Sequence, residues 1–176
     1  MTQANDKLAR FNALWEEDAA RELLKCCGST EWAAKMAALR PFQNLEDLLS
    51  AAHSVWWELK PEEWLAAFSQ HPKIGERQAV AMAGDGARFG AARWSEDEQS
   101  GIRDASKEIM ASLELANALY ARKVGFIFIV CATGKTSSEM LALLDERLLN
   151  GREEEIRIAA GEQARITRLR LKKLLG

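Results

Sequence analysis

His71 heads the run His71-Pro72-Lys73-Ile74-Gly75 and is one of only two histidines in the chain. Its imidazole, with an ordinary pKa of about 6.5, is the side chain best suited to give or take a proton near neutrality. Pro72 disfavours the α conformation at the residue before it, so a helix arriving from the N-terminal side ends and His71 opens a loop. Loop residues held by rigid elements are where catalytic groups concentrate. The other histidine, His53, falls in mid-helix beside an apolar stripe and reads as an ordinary helix residue. A second group of polar residues is Trp94-Ser95-Glu96-Asp97-Glu98-Gln99. Ser95 and Glu98 have the spacing of a capping box, and acidic side chains favour a helix N-terminus through its dipole. The same helix start offers backbone N–H groups to an anionic ligand, so the structural and the binding readings are compatible.

Other patterns exclude functions. Thr133-Gly134-Lys135-Thr136 resembles the tail of a phosphate-binding loop, but Ile129 stands where the leading glycine belongs. Gly84-Asp85-Gly86 has Gly90 one place too late for a dinucleotide fingerprint. Two histidines and no cysteine cluster give no zinc site, and no metal is expected. Cys26, Cys27 and Cys131 form no CxxC pair and no even-numbered framework, which fits reduced thiols. A formal net charge of -2 creates no field that would draw the chain to nucleic acid. No apolar run reaches the roughly 20 residues of a membrane-spanning helix, and residues 1–6 lack the features of a signal peptide. The expected location is the cytoplasm. The basic residues Arg165, Arg168, Arg170, Lys172 and Lys173 complement a helix C-terminus, unless one arginine turns inward to meet a carboxylate.

The elements that must position these groups are helical. With three prolines in 176 residues and 48% apolar content, the expected fold is all-α. Residues 1–176 should form a single compact helical-bundle domain of about eight helices. Leu8, Phe11, Trp15, Ala19 and Leu23 mark a first amphipathic helix. Asn44 should cap a second, with Asp47 at its third position and Leu45, Leu48, Leu49, Ala52, Val55, Trp56 and Leu59 on one stripe. Pro61 suits the first turn of a short helix burying Trp64, Leu65 and Phe68, which stops near Gln70. Gly75, Gly84, Gly86 and Gly90 then predict a mobile stretch with a short helix around 76–83. Periodicity resumes after Ser95 through Ile102, Ile109, Leu113, Ala116 and Tyr120. Thr136-Ser137-Ser138-Glu139 is another capping box, before Met140, Leu141, Leu144 and Leu148. A last helix begins near Glu153.

One segment resists this pattern. Gly125-Phe126-Ile127-Phe128-Ile129-Val130-Cys131-Ala132 has the β-branched and aromatic content of a buried strand. A lone strand would have no partner in a helical chain, so a buried helix or a buried extended segment is expected.

Taken in order, these residues resemble the 2-oxo-4-hydroxy-4-carboxy-5-ureidoimidazoline (OHCU) decarboxylases of urate breakdown. The resemblance starts at Phe11-Asn12 and passes through His71-Pro72-Lys73-Ile74-Gly75-Glu76 and Trp94-Ser95-x-x-Glu98-Gln99. It continues through Asn117-x-x-Tyr120-x-x-Lys123-x-Gly125-Phe126-x-Phe128, Gly134-Lys135 and Asn150. It closes with Glu162-Gln163-x-x-Ile166 and Leu169-Arg170-Leu171. No single piece is very specific; their order and spacing together are.

The resemblance implies an all-α, homodimeric enzyme that acts on a small-molecule substrate, converting OHCU to (S)-allantoin with no metal or organic cofactor. It implies that His71 is the proton donor and that Pro72 lies beside it at the substrate. Ser95, Glu98 and Gln99 correspond to a ligand-contacting helix start, with Glu98 orienting His71 or a substrate hydroxyl. Phe128, Ile129, Val130, Cys131 and Ala132 correspond to a segment whose backbone lines the pocket. Arg170 corresponds to an arginine facing the substrate, with Arg168 two residues away as the alternative. Two positions depart from the family pattern. Ile127 stands where Pro is common, and Lys73 stands where Arg is frequent, which keeps the charge but loses the fork geometry. Some relatives carry a fused transthyretin-like hydrolase, for which 176 residues leave no room. On the residues alone two other readings stay open: a helical interaction module, and a lyase for another small polar acid.

Overall fold

The computed structural model describes residues 3–71 and 107–176. Among the described residues there are eight helices and no strand: α1 (Gln3–Asn12), α2 (Glu16–Cys27), α3 (Thr30–Ala38), α4 (Leu45–Glu58), α5 (Pro61–Ser69), α6 (Lys107–Val124), α7 (Ser137–Arg147) and α8 (Arg152–Leu175). The fold class is all-α, as expected. The glycine-rich stretch after Lys73, its short helix and the helix start at Ser95 lie outside the described residues.

The chain divides into two compact units, Met1–Ala67 with Gln163–Gly176, and Phe68–Glu162. In the first unit, the amphipathic helix expected through Leu8, Phe11, Trp15, Ala19 and Leu23 proves to be two helices. Leu8, Phe11, Ala19 and Leu23 are buried, but Trp15 is 83% exposed. It adopts an extended conformation (φ −60°, ψ 151°) just before α2. Arg40 supports the break, because its Nη1 donates to the carbonyls of Phe11 (3.1 Å) and Leu14 (2.7 Å) at the end of α1. The Phe11 carbonyl also accepts the Leu14 amide at 3.2 Å, and the Leu14 carbonyl lies past the end of α1. Asn12 fixes the same corner, donating to the Phe42 carbonyl (2.8 Å) and accepting the Phe42 amide (3.0 Å).

Sequence reading did not anticipate α3. Ser29 caps it by accepting the Trp32 amide at 3.1 Å, an arrangement that satisfies one of the four unpaired N–H groups of a helix start. Trp32 is fully buried, and its indole N–H reaches the Ala52 carbonyl of α4 at 3.1 Å. Burying a large apolar side chain contributes roughly 1.5–3 kcal/mol, and the hydrogen bond leaves no polar atom of the ring stranded.

The expected Asn44 cap is present, with its side chain accepting the Asp47 amide at 2.9 Å while the Asp47 carboxylate accepts the Gln43 amide at 3.0 Å. Leu48, Leu49, Ala52, Val55 and Trp56 then bury one stripe of α4, with Leu45 half-buried. Pro61 opens α5, whose Trp64 donates its indole N–H to the Trp56 carbonyl at 2.9 Å.

In the second unit, α6 buries Leu113, Ala116, Asn117, Tyr120 and Val124, three and four residues apart. It packs on α7. The capping box at the start of α7 is complete: Thr136 Oγ1 accepts the Glu139 amide, and the Glu139 carboxylate accepts the Thr136 amide at 2.7 Å. No helix among the described residues is long and apolar enough to cross a membrane.

Candidate active site

Helix α5 ends at Ser69, and the His71 amide closes the turn on the Phe68 carbonyl at 3.1 Å. His71 therefore leaves the helix where Pro72 requires it to, and is half-buried. Phe68, one turn earlier, is buried against Phe126 with ring centroids 5.3 Å apart. That contact brings the end of α5 to the start of the 126–132 segment.

This segment is neither helix nor strand. Phe126, Phe128, Ile129, Cys131 and Ala132 are buried, while Ile127 and Val130 are half-buried. Of the two conformations expected, the helix is thus excluded. A buried irregular backbone must find hydrogen-bond partners elsewhere, and here side chains of the surrounding helices supply them. Asn117 Oδ1 of α6 accepts the Phe128 amide at 3.0 Å. Arg147 of α7 donates from Nη1 to the Ile129 carbonyl at 2.7 Å. Glu162 of α8 accepts the Cys131 amide at 2.7 Å, and Lys135 Nζ donates to the Cys131 carbonyl at 2.8 Å. The amides of Ile129, Val130 and Ala132 have no hydrogen-bond acceptor among the described residues.

Behind the segment lies a buried charged network. Arg147 Nε donates to Glu155 Oε2 at 2.8 Å, and the two side chains are only 9% and 0% exposed. Arg147 Nη2 also reaches the Tyr120 hydroxyl at 3.1 Å, and that hydroxyl donates to Glu155. Asn150 Nδ2 occupies the other carboxylate oxygen at 2.7 Å. The guanidinium lies over the Phe128 ring, 4.6 Å from its centroid, an arrangement favoured by the ring quadrupole. Burial, and then the bond to Glu155, raise the Tyr120 pKa well above the usual phenol range, so the hydroxyl stays a donor. Sequence reading missed Arg147 and Glu155. The available signal was indirect: a buried segment with no strand to pair with needs side-chain partners.

Gly125 begins the segment with φ +85°, a conformation that favours glycine. A Cβ built there would lie 2.7 Å from Arg152 Nη1. Arg152 itself donates to the Val124 carbonyl and covers the Phe126 ring.

In the other unit, Arg168 and Arg170 differ in burial. Arg168 is half-exposed and lies 3.7 Å from the Glu46 carboxylate. Arg170 is only 4% exposed, and its Nη1 reaches the Cys26 carbonyl at 3.3 Å. It is therefore the inward-turned arginine of the basic tail. Pro72, Lys73, Ser95, Glu98 and Gln99 lie outside the described residues. Among the described residues no group of three or more His, Cys, Asp or Glu side chains is gathered as a metal site would require.

These features define a helical protein with a side-chain-anchored irregular wall, met at its start by the helix that delivers His71. The family model for OHCU decarboxylase matches residues 12–172, and the chain belongs to that family. It is 39% identical over 150 residues to the uric acid degradation bifunctional protein TTL of Arabidopsis thaliana, covering 85% of this chain and 45% of that protein. The chain thus spans less than half the length of that relative. It is 29% identical over 146 residues to the mouse 2-oxo-4-hydroxy-4-carboxy-5-ureidoimidazoline decarboxylase, covering 82% and 78% of the two chains. A crystal structure of an OHCU decarboxylase in the presence of (S)-allantoin superimposes with a TM-score of 0.72 at 36% identity, covering 88% of this chain and 96% of that one.

Proposed function

We propose that the chain decarboxylates OHCU to (S)-allantoin in urate degradation, with His71 as the proton donor. The observation that carries this reading is the family match over residues 12–172. The similarity to a decarboxylase crystallised in the presence of (S)-allantoin supports it. In the reaction, the bond between the ring carbon and its carboxylate breaks and carbon dioxide leaves. The electron pair passes into the conjugated ureidoimidazoline system, and a proton then arrives on one face of the ring. The step is redox-neutral, and its electrons and proton balance without a metal or organic cofactor.

The acid is protonated His71, which the end of α5 presents from a fixed backbone position. Glu98 orients it or a substrate hydroxyl. Ser95, Gln99, Arg170 and Pro72 hold the substrate, and the wall at 128–132 closes the site. The Phe128 and Cys131 amides are already committed to Asn117 and Glu162. The N–H groups offered to grip a ureido or carbonyl oxygen of the substrate are therefore those of Ile129, Val130 and Ala132, donors held in place before the substrate arrives. The protein works as one domain over residues 1–176, as a cytoplasmic homodimer.

The test is to generate OHCU from urate with a urate oxidase and its partner hydrolase, then add the purified chain. Decay of the OHCU absorbance well above the spontaneous rate is expected. Decay at the spontaneous rate with folded protein present would contradict the reading.

A further inference from the structure

The wall at 128–132 is irregular and buried, and its position is set from outside it. Three helices each contribute one side chain: Asn117 of α6 to the Phe128 amide (3.0 Å), Arg147 of α7 to the Ile129 carbonyl (2.7 Å), and Glu162 of α8 to the Cys131 amide (2.7 Å). The Cys131 peptide is held at both ends, because Lys135 Nζ takes its carbonyl at 2.8 Å. Two of the three anchors are charged groups, whose hydrogen bonds are shorter and stronger than neutral ones. Arg147 is itself immobilised by Glu155, by the Tyr120 hydroxyl and by the Phe128 ring. A side chain held in this way holds its own partner to a narrow geometry.

We propose that Asn117, Arg147 and Glu162 are positioning residues that set the substrate-binding geometry of the 128–132 backbone. The anchors alternate with the amides of Ile129, Val130 and Ala132, so releasing one anchor misplaces the neighbouring N–H groups. This role rests on the decarboxylase reading. It concerns binding through the wall rather than proton transfer at His71, and it therefore acts mainly on KM and on product affinity.

Glu162 is the anchor best suited to a test, because it is half-buried and is not the carboxylate paired with Arg147, which is Glu155. Three variants are compared with the native chain: Glu162→Ala, Glu162→Gln, and Asn44→Ala, which removes a helix cap in the other unit. Each is measured for KM, kcat, inhibition by (S)-allantoin, thermal midpoint and amide exchange across 126–132. Glu162→Ala is expected to raise KM and the inhibition constant about tenfold, as loss of a charge-assisted hydrogen bond would. Its kcat should change by less than about threefold, the signature of lost uniform binding, and exchange at 128–132 should quicken. Glu162→Gln keeps an acceptor oxygen and should restore KM to within about threefold of native. Asn44→Ala should lower the thermal midpoint and leave KM unchanged. An unchanged KM in Glu162→Ala would overturn the role, and so would a rise in Asn44→Ala as large as in Glu162→Ala. No turnover by the native chain would overturn the decarboxylase reading, and the positioning role with it. Turnover by the native chain with an indifferent Glu162→Ala would overturn the positioning role alone.

Discussion

Arg147 donates to the carbonyl of Ile129 across 18 positions of sequence, at 2.7 Å and out of contact with water. The bond ties the end of α7 to the middle of a segment that has no secondary structure of its own. Because the guanidinium also holds Glu155, the unit's buried charge pair and its irregular wall form one assembly.

Removing half of that pair should be costly. Arg147→Met leaves the Glu155 carboxylate buried without its cation, and breaking a buried pair from one side costs about 3–5 kcal/mol. Urea unfolding of Arg147→Met should show a loss of that order. The double variant with Glu155→Gln removes the stranded charge and should lose less than Arg147→Met alone. Equal stability of native chain and single variant would contradict the network's role.

Gly125→Ala places a Cβ where φ is +85° and Arg152 stands 2.7 Å away. The left-handed backbone alone costs an L-residue about 1–2 kcal/mol, and the arginine must also shift. A fall in the urea midpoint at unchanged slope is expected. A midpoint equal to native would show that the turn relaxes freely.

Burial pushes the Cys26 and Cys27 thiols from 9.0 up to about 12. Their raised folded values favour the protonated form, so the associated stability is fully present below about pH 9 and falls as pH rises towards 12. At pH 8 both thiols should resist a thiol reagent until the chain unfolds, because the thiolate is the reactive form. Rapid labelling of either in the folded protein would refute their burial as thiols. Alkaline unfolding should begin above pH 9, and Cys26→Ala with Cys27→Ala should flatten it.

Local rules made much of the fold legible. Asn44, Pro61 and the Thr136–Glu139 box each act within four residues, and each begins a helix where its chemistry predicts. Local periodicity also misled. Leu8, Phe11, Ala19 and Leu23 keep helical spacing across a break that leaves Trp15 exposed, and the groups that hold the break, Arg40 and Phe42, lie far along the chain. The helix α3 has a signal in Ser29, but its short run of alanines carries little amphipathic pattern. At the site, the exit of His71 from α5 follows from Pro72. The anchors of 128–132 do not, because Asn117, Arg147 and Glu162 lie 11, 18 and 31 positions from the groups they hold. Pairings at such separations depend on how the helices pack, which no single stretch of sequence encodes.

The most direct test of His71 as the proton donor is the circular dichroism of product formed from freshly generated OHCU by the native chain and by His71→Asn. The native chain should yield optically active (S)-allantoin far faster than the spontaneous reaction. His71→Asn should remain folded and lose about 10²–10⁴-fold in rate, the usual contribution of a positioned acid, leaving mainly racemic product. Near-native turnover of one enantiomer by His71→Asn would contradict the account.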